Sequence, residues 1–133
     1  MTLRLDYVLS GAEAPDGIVI EMEYLPTLSV NSYRTRNGII RSEVQRWRDQ
    51  LAWMVKMLPS TYNITFRPPV KVRIDGVFKN KRSMPDGDNL LKICGDSIAL
   101  GLNINDKNFV YETRPFTVDK KRQPTIIITI SNS

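Results

Sequence analysis

Histidine is absent from the 133 residues, and cysteine occurs once, as Cys94. The first absence removes imidazole general-base chemistry, the Ser-His-Asp triad and every His-ligated zinc site. The second rules out a disulfide within the chain and fits a reducing cytoplasm. Any catalytic metal must then sit on oxygen ligands, which favours Mg²⁺ or Mn²⁺. No apolar run approaches the ~18 residues of a membrane span. There is no internal repeat or low-complexity tract, and no basic stretch followed by an apolar core to mark a secretory signal.

What is present is a basic, ordinarily apolar chain. Lys and Arg number 19 against 14 Asp and Glu, a formal charge of +5, and 41% of residues are hydrophobic. The length suits a single domain, 1–133, with one modest core. A basic chain with carboxylates and a hard cation suggests a polyanionic substrate; a merely soluble basic protein would have the same charge.

The hydrophobic pattern gives an element order. Residues 1–17 end in the turn Ala14-Pro15-Asp16-Gly17 and form either a short strand or an arm. Alternation from Ile18 to Leu25 predicts a strand that Pro26 ends. Ser42 opens a helix with Gln45 as capping-box partner. Its apolar face is Val44, Trp47, Leu51, Met54, Val55 and Leu58, and Pro59 stops it. Val70 to Phe78 alternates as a second strand. A basic loop, Lys79 to Pro85, leads to a helix from Asp88 to about Leu100. Leu91, Cys94, Ile98 and Leu102 form its buried stripe, and Gly101 holds the place of a C-terminal glycine. Two strands follow, Phe109–Phe116 and Thr125–Ile130, joined by a turn rich in Lys120, Lys121 and Arg122. The class is α/β or α+β with a small mixed sheet and two main helices.

Chemistry concentrates in Met84-Pro85-Asp86-Gly87-Asp88-Asn89-Leu90-Leu91-Lys92. In an extended segment residues i and i+2 point to one side, so Asp86 and Asp88 can converge on one cation. An ordinary N-cap at Asp88 and a turn residue at Asp86 would look the same. Asn89, Lys92 and Asp96 share the polar face of the helix. Lys92 can reach a phosphate or a leaving oxygen, or pair with Asp88 and Asp96 as a surface lysine. Asp106, in Asn103-Ile104-Asn105-Asp106, is a third candidate ligand or a polar turn. It returns toward the pair only if the strand after it lies beside the strand before the helix. A calcium loop counted from Asp86 would place Ser97 where its last acidic ligand belongs, so that reading fails.

These residues resemble the RusA family of Holliday junction resolvases. The resemblance rests on Asp86-x-Asp88-Asn89-x-x-Lys92, with Asp96 one turn on and Asp106 after the helix. It is supported by Leu28-Ser29-Val30-Asn31-Ser32-Tyr33, similar to the family's Pro-Ser-x-Asn-x-Tyr motif, and covers roughly residues 18–131. It implies a RusA-like homodimer that binds branched DNA and cuts four-way junctions by paired, symmetric phosphodiester hydrolysis with Mg²⁺ or Mn²⁺. It also implies metal ligation by Asp86, Asp88 and Asp106 and a catalytic cation at Lys92. Departures are Leu28 for the usual proline, Ser83-Met84-Pro85 where arginines are common, and Asn105 for an acidic residue. Asn31, Tyr33, Arg34, Arg36, Lys79, Lys81 and Arg82 are candidate DNA contacts. A phage or prophage source would fit the family. A junction-binding module without activity, and a basic protein-interaction domain, remain alternatives.

Overall fold

The structure, a computed structural model, describes residues 7–28, 34–85 and 87–132, with the side chains of residues 87–89 outside the description. The elements are β1 (Val8–Ala14), β2 (Gly17–Glu23), α1 (Ser42–Thr61), β3 (Val70–Phe78), α2 (Gly87–Leu102), β4 (Phe109–Thr113), β5 (Thr117–Val118) and β6 (Thr125–Asn132). They form an α+β fold with a mixed six-stranded sheet in the order β1-β2-β6-β3-β4, with β5 pairing on β3. The N-terminal segment is an edge strand, turned into β2 at Asp16, whose φ is 57°.

Alternation explains the core. The register sets Ile18, Ile130 and Val72 in one cross-strand row and Ile20, Ile128 and Ile74 in the next. All six are fully buried. Their neighbours Lys71, Arg73 and Asp75 fall on the other face, as a period of two requires. Against the apolar face lie α1, through Val44, Trp47, Leu51, Ala52, Val55 and Leu58, and α2, through Leu90, Ile93, Cys94 and Ile98. The indole N–H of Trp47 donates to the Glu23 carbonyl at 2.8 Å, so this large ring is buried without an unpaired polar atom.

Direction matters for the site. β6 is antiparallel to both β2 and β3, so β2 and β3 run the same way. Each is followed by a helix that runs back. Hence α1 and α2 are parallel to each other, with Arg48 opposite Asp96 and, further along both, Ala52 and Val55 opposite Gly101. The carboxyl ends of β2 and β3, the starts of both helices and the turn into β6 share one end of the sheet.

Several local expectations change. Gly101 lies inside α2 rather than beyond it. A Cβ there would come 2.5 Å from the Ala52 carbonyl oxygen, so the glycine serves helix contact. The left-handed residue that ends α2 is Asn103, with φ 56°. Leu91 and Leu102 are only half-buried, and Leu90 and Ile93 take their places in the stripe. Gln45 makes no capping box. Its amide donates to Asp49 Oδ1 at 2.8 Å, and α1 has no side-chain cap. Nor does Pro59 stop α1: it removes one N–H, while Tyr62 N–H still reaches the Leu58 carbonyl at 3.0 Å. The expected strand Phe109–Phe116 breaks after Thr113, where Pro115 has no N–H to offer a ladder.

Candidate active site

In open sheets, ligands bind beyond the carboxyl ends of parallel strands, where loops leave the strands and helices begin. Here that end carries the basic loops. Lys79, Lys81 and Arg82 are exposed. Their loop is shaped by Asn80, whose Oδ1 accepts from Ser83 N–H at 2.9 Å. Residues 34–40 form a second small loop before α1. Thr35 N–H donates to the Ile39 carbonyl at 2.8 Å, and Arg34 Nη1 donates to the Gly38 carbonyl at 2.7 Å. Arg36 is exposed in the turn of that loop. Asn31 and Tyr33 lie outside the described residues.

The same end holds the entrance of α2. Asp86 lies outside the described residues, as do the side chains of Asp88 and Asn89; the backbone of Asp88 is in the first turn of α2. Lys92 is exposed one turn on. It does not pair with Asp96, whose carboxylate is 3.8 Å from the guanidinium of Arg48 on α1. Among the described residues Lys92 has no ion-pair partner. Spacing along α2 cannot point to Arg48, because the parallel alignment of the two helices brings it there.

Asp106 is elsewhere. β4 lies beside β3, so the condition for its return is met, but the two are parallel, with Phe109 paired to Val70. The turn before β4 therefore sits where β3 begins and α2 ends. An open cleft of about 510 Å³ there is lined by Asp96, Ala99, Leu100, Asn103, Asn105 and Asp106. At about 1.5 Å per residue, the level of 96–103 is roughly 12 to 22 Å along α2 from Asp88. Next to this cleft the Tyr111 hydroxyl packs on the backbone of Gly95, in the space a Cβ would fill. Burial, then the carboxylates of Asp106 and Asp96 and the thiol of Cys94, push this phenol above its usual range. A glycine at mid-helix is the one sequence signal for that contact.

The donor chemistry favours a hard cation. Cys94 is wholly buried and its thiol is pushed up to about 12 by desolvation, so it supplies no thiolate near neutral pH. Oxygen donors remain, in Asp88, Asp96 and Asp106. Among the described residues, which leave out Asp86 and the Asp88 side chain, no three acidic, His or Cys side chains cluster as a metal site. On β4, Glu112 is held below the usual carboxylate range chiefly by Lys71, whose ammonium pairs with it at 3.0 Å.

No helix among the described residues is long and apolar enough to cross a membrane. No curated protein matches the chain. The family model described as endodeoxyribonuclease RusA matches residues 23–131, from the last residue of β2 nearly to the end of β6. The chain belongs to the RusA endodeoxyribonuclease family, whose members resolve Holliday junctions.

Proposed function

We propose that this single domain acts as a homodimer that cuts four-way DNA junctions by paired, symmetric hydrolysis, with Mg²⁺ or Mn²⁺ held by Asp86, Asp88 and Asp106. The observation that carries the reading is the entrance of α2: the helix begins at Gly87, the middle residue of the sequence's Asp-x-Asp, shortly after the exposed basic loop of Lys79, Lys81 and Arg82. The cation would activate water and neutralise charge that develops on the phosphoryl oxygens. Lys92, unpaired among the described residues, offers a placed ammonium for the leaving oxygen or the phosphate. Arg34, Arg36, Lys79, Lys81 and Arg82 track the backbone without reading sequence, and Asn31 and Tyr33 join them by family motif.

The length of α2 bears on assembly. Two aspartates on one ion require Cα atoms within roughly 10 Å, given metal–oxygen bonds of ~2.1 Å. Asp106 lies beside the second half of α2, so we infer that the Asp106 serving a given pair comes from the second copy of the chain. A two-fold dimer also matches the near two-fold symmetry of the junction and supplies two cuts. A cytoplasmic setting fits the single reduced thiol.

The test is a labelled four-way junction incubated with and without Mg²⁺ or Mn²⁺. Ligatable, symmetric nicks that need the ion are expected. Binding without cleavage, or cleavage in excess chelator, would overturn the reading.

A further inference from the structure

We propose that the hollow between Tyr24, Phe78 and Pro124 is a subsite for one unstacked nucleobase of the branched DNA. The hollow has a volume of about 240 Å³ and is completed by Pro26 and Ser83. That is smaller than the ~300–1,000 Å³ taken by drug-sized ligands, and it suits one ring system. Its aromatic wall is fixed: Tyr24 meets the fully buried Phe78 edge-on, with centroids 5.1 Å apart and planes at 83°. Burial raises the Tyr24 phenol above its usual range, so the hydroxyl stays neutral and can meet a base edge as donor or acceptor.

The rim chooses the occupant. On one side Ser83 ends the loop of Lys79, Lys81 and Arg82. On the other runs the turn of Lys120 and Lys121, fastened at both ends to the hollow. Asp119 N–H donates to the Phe78 carbonyl at 2.8 Å, and Tyr24 N–H donates to the Pro124 carbonyl at 2.9 Å. These five cations are exposed. Arg122 is set apart, 3.9 Å from Glu21. Two basic rims around an aromatic floor form the combination that binds single-stranded nucleic acid, with phosphates on the charge and a base on the ring. An apolar peptide would gain nothing from the paired rims. The hollow is at the same end of the sheet as the start of α2, whose first turn holds the backbone of Asp88, and in the sequence Ser83 precedes Asp86 by three residues. At a branch point stacking is already interrupted, so a base there costs least to extract.

The choice of branched DNA rests on the resolvase reading, and the experiment separates the two. Junction binding is measured in chelator with the full chain. The probes are an intact four-way junction and junctions with one abasic nucleotide at each position flanking the branch. Ser83→Trp fills the hollow from an exposed site, and Tyr24→Leu keeps bulk but removes the aromatic face. Each should weaken intact-junction binding on the order of tenfold. For one abasic position that loss should vanish. Lys121→Ala should weaken all probes alike, as a phosphate contact does. Equal losses on intact and every abasic junction, or no loss with either hollow variant, overturn the subsite even if cleavage is normal. Base-dependent binding by a chain that never cuts would leave the subsite standing and remove the resolvase reading.

Discussion

Arg48 on α1 holds Asp96 on α2 at 3.8 Å, across the seam between two parallel helices. The Asp96 carboxylate makes this contact and no ion pair with Lys92, one turn earlier on the same helix. Lys92 is left exposed at the proposed site. Lys92→Ala should therefore cut junctions about 10²–10³-fold more slowly in single turnover, with DNA binding nearly intact. Lys92→Arg should rescue only in part, because a planar guanidinium replaces a compact ammonium poorly. An unchanged single-turnover rate in Lys92→Ala would return the residue to the solvated surface.

The separation of Asp106 from the head of α2 gives a sharper test. Asp88→Asn and Asp106→Asn should each abolish cleavage while junction binding persists or strengthens, since negative charge near phosphate is removed. If the partner supplies Asp106, a mixture of the two dead proteins regains one complete site per mixed dimer and nicks one strand. Light scattering should show dimers of the parent, and junction binding should fall steeply with salt. No nicking after subunit exchange would place Asp106 outside a shared site. A stable monomer that still made paired cuts would defeat the dimer.

What was legible in the sequence follows from period. Strand β3 shows because alternation is strict from Val70 to Asp75, and α1 shows because Trp47, Leu51, Val55 and Leu58 recur at helical spacing. Spacing also locates the Asp86-x-Asp88 pair before a helix. It carries no information about where β6 inserts. β6 lies between β2 and β3, and that insertion decides strand directions, the parallel run of α1 and α2, and so Arg48 beside Asp96. Asp106 shows the same limit. β4 does lie beside β3, yet their shared direction sends Asp106 to the far end of α2. Gly101 reads as a C-terminal glycine but lies inside α2, because a glycine for a turn and a glycine for close contact look alike in one sequence.

Gly101 can be tested for contact. In an ordinary helix interior, Gly→Ala gains about 1 kcal/mol. Here the added Cβ would meet the Ala52 carbonyl oxygen at 2.5 Å and two Val55 side-chain carbons at 2.9 Å. Forcing a methyl against fixed backbone costs roughly 1–3 kcal/mol. The contact should win, and Gly101→Ala should lower the melting temperature by about 4 °C. A higher melting temperature would show that the helices part at no cost.

Cys94 supplies a prediction at high pH. Its thiol is fully buried and raised from 9.0 to about 12 by desolvation. The native chain should therefore resist iodoacetamide at pH 8 and react once denaturant exposes the sulfur. The same shift has a sign for stability. Between 9.0 and about 12 the folded thiol keeps a proton that the unfolded one has lost. Stability is thus intact below pH 9 and declines as pH rises toward 12. Tyr24 and Tyr111, both raised chiefly by burial, steepen the same decline. Denaturant midpoints measured upward from pH 8 should fall through this window, and less so in Cys94→Ala, whatever that variant's baseline loss. Rapid labelling of the native thiol at pH 8 would mean that the packing of α2 on the sheet opens far more often than its burial implies.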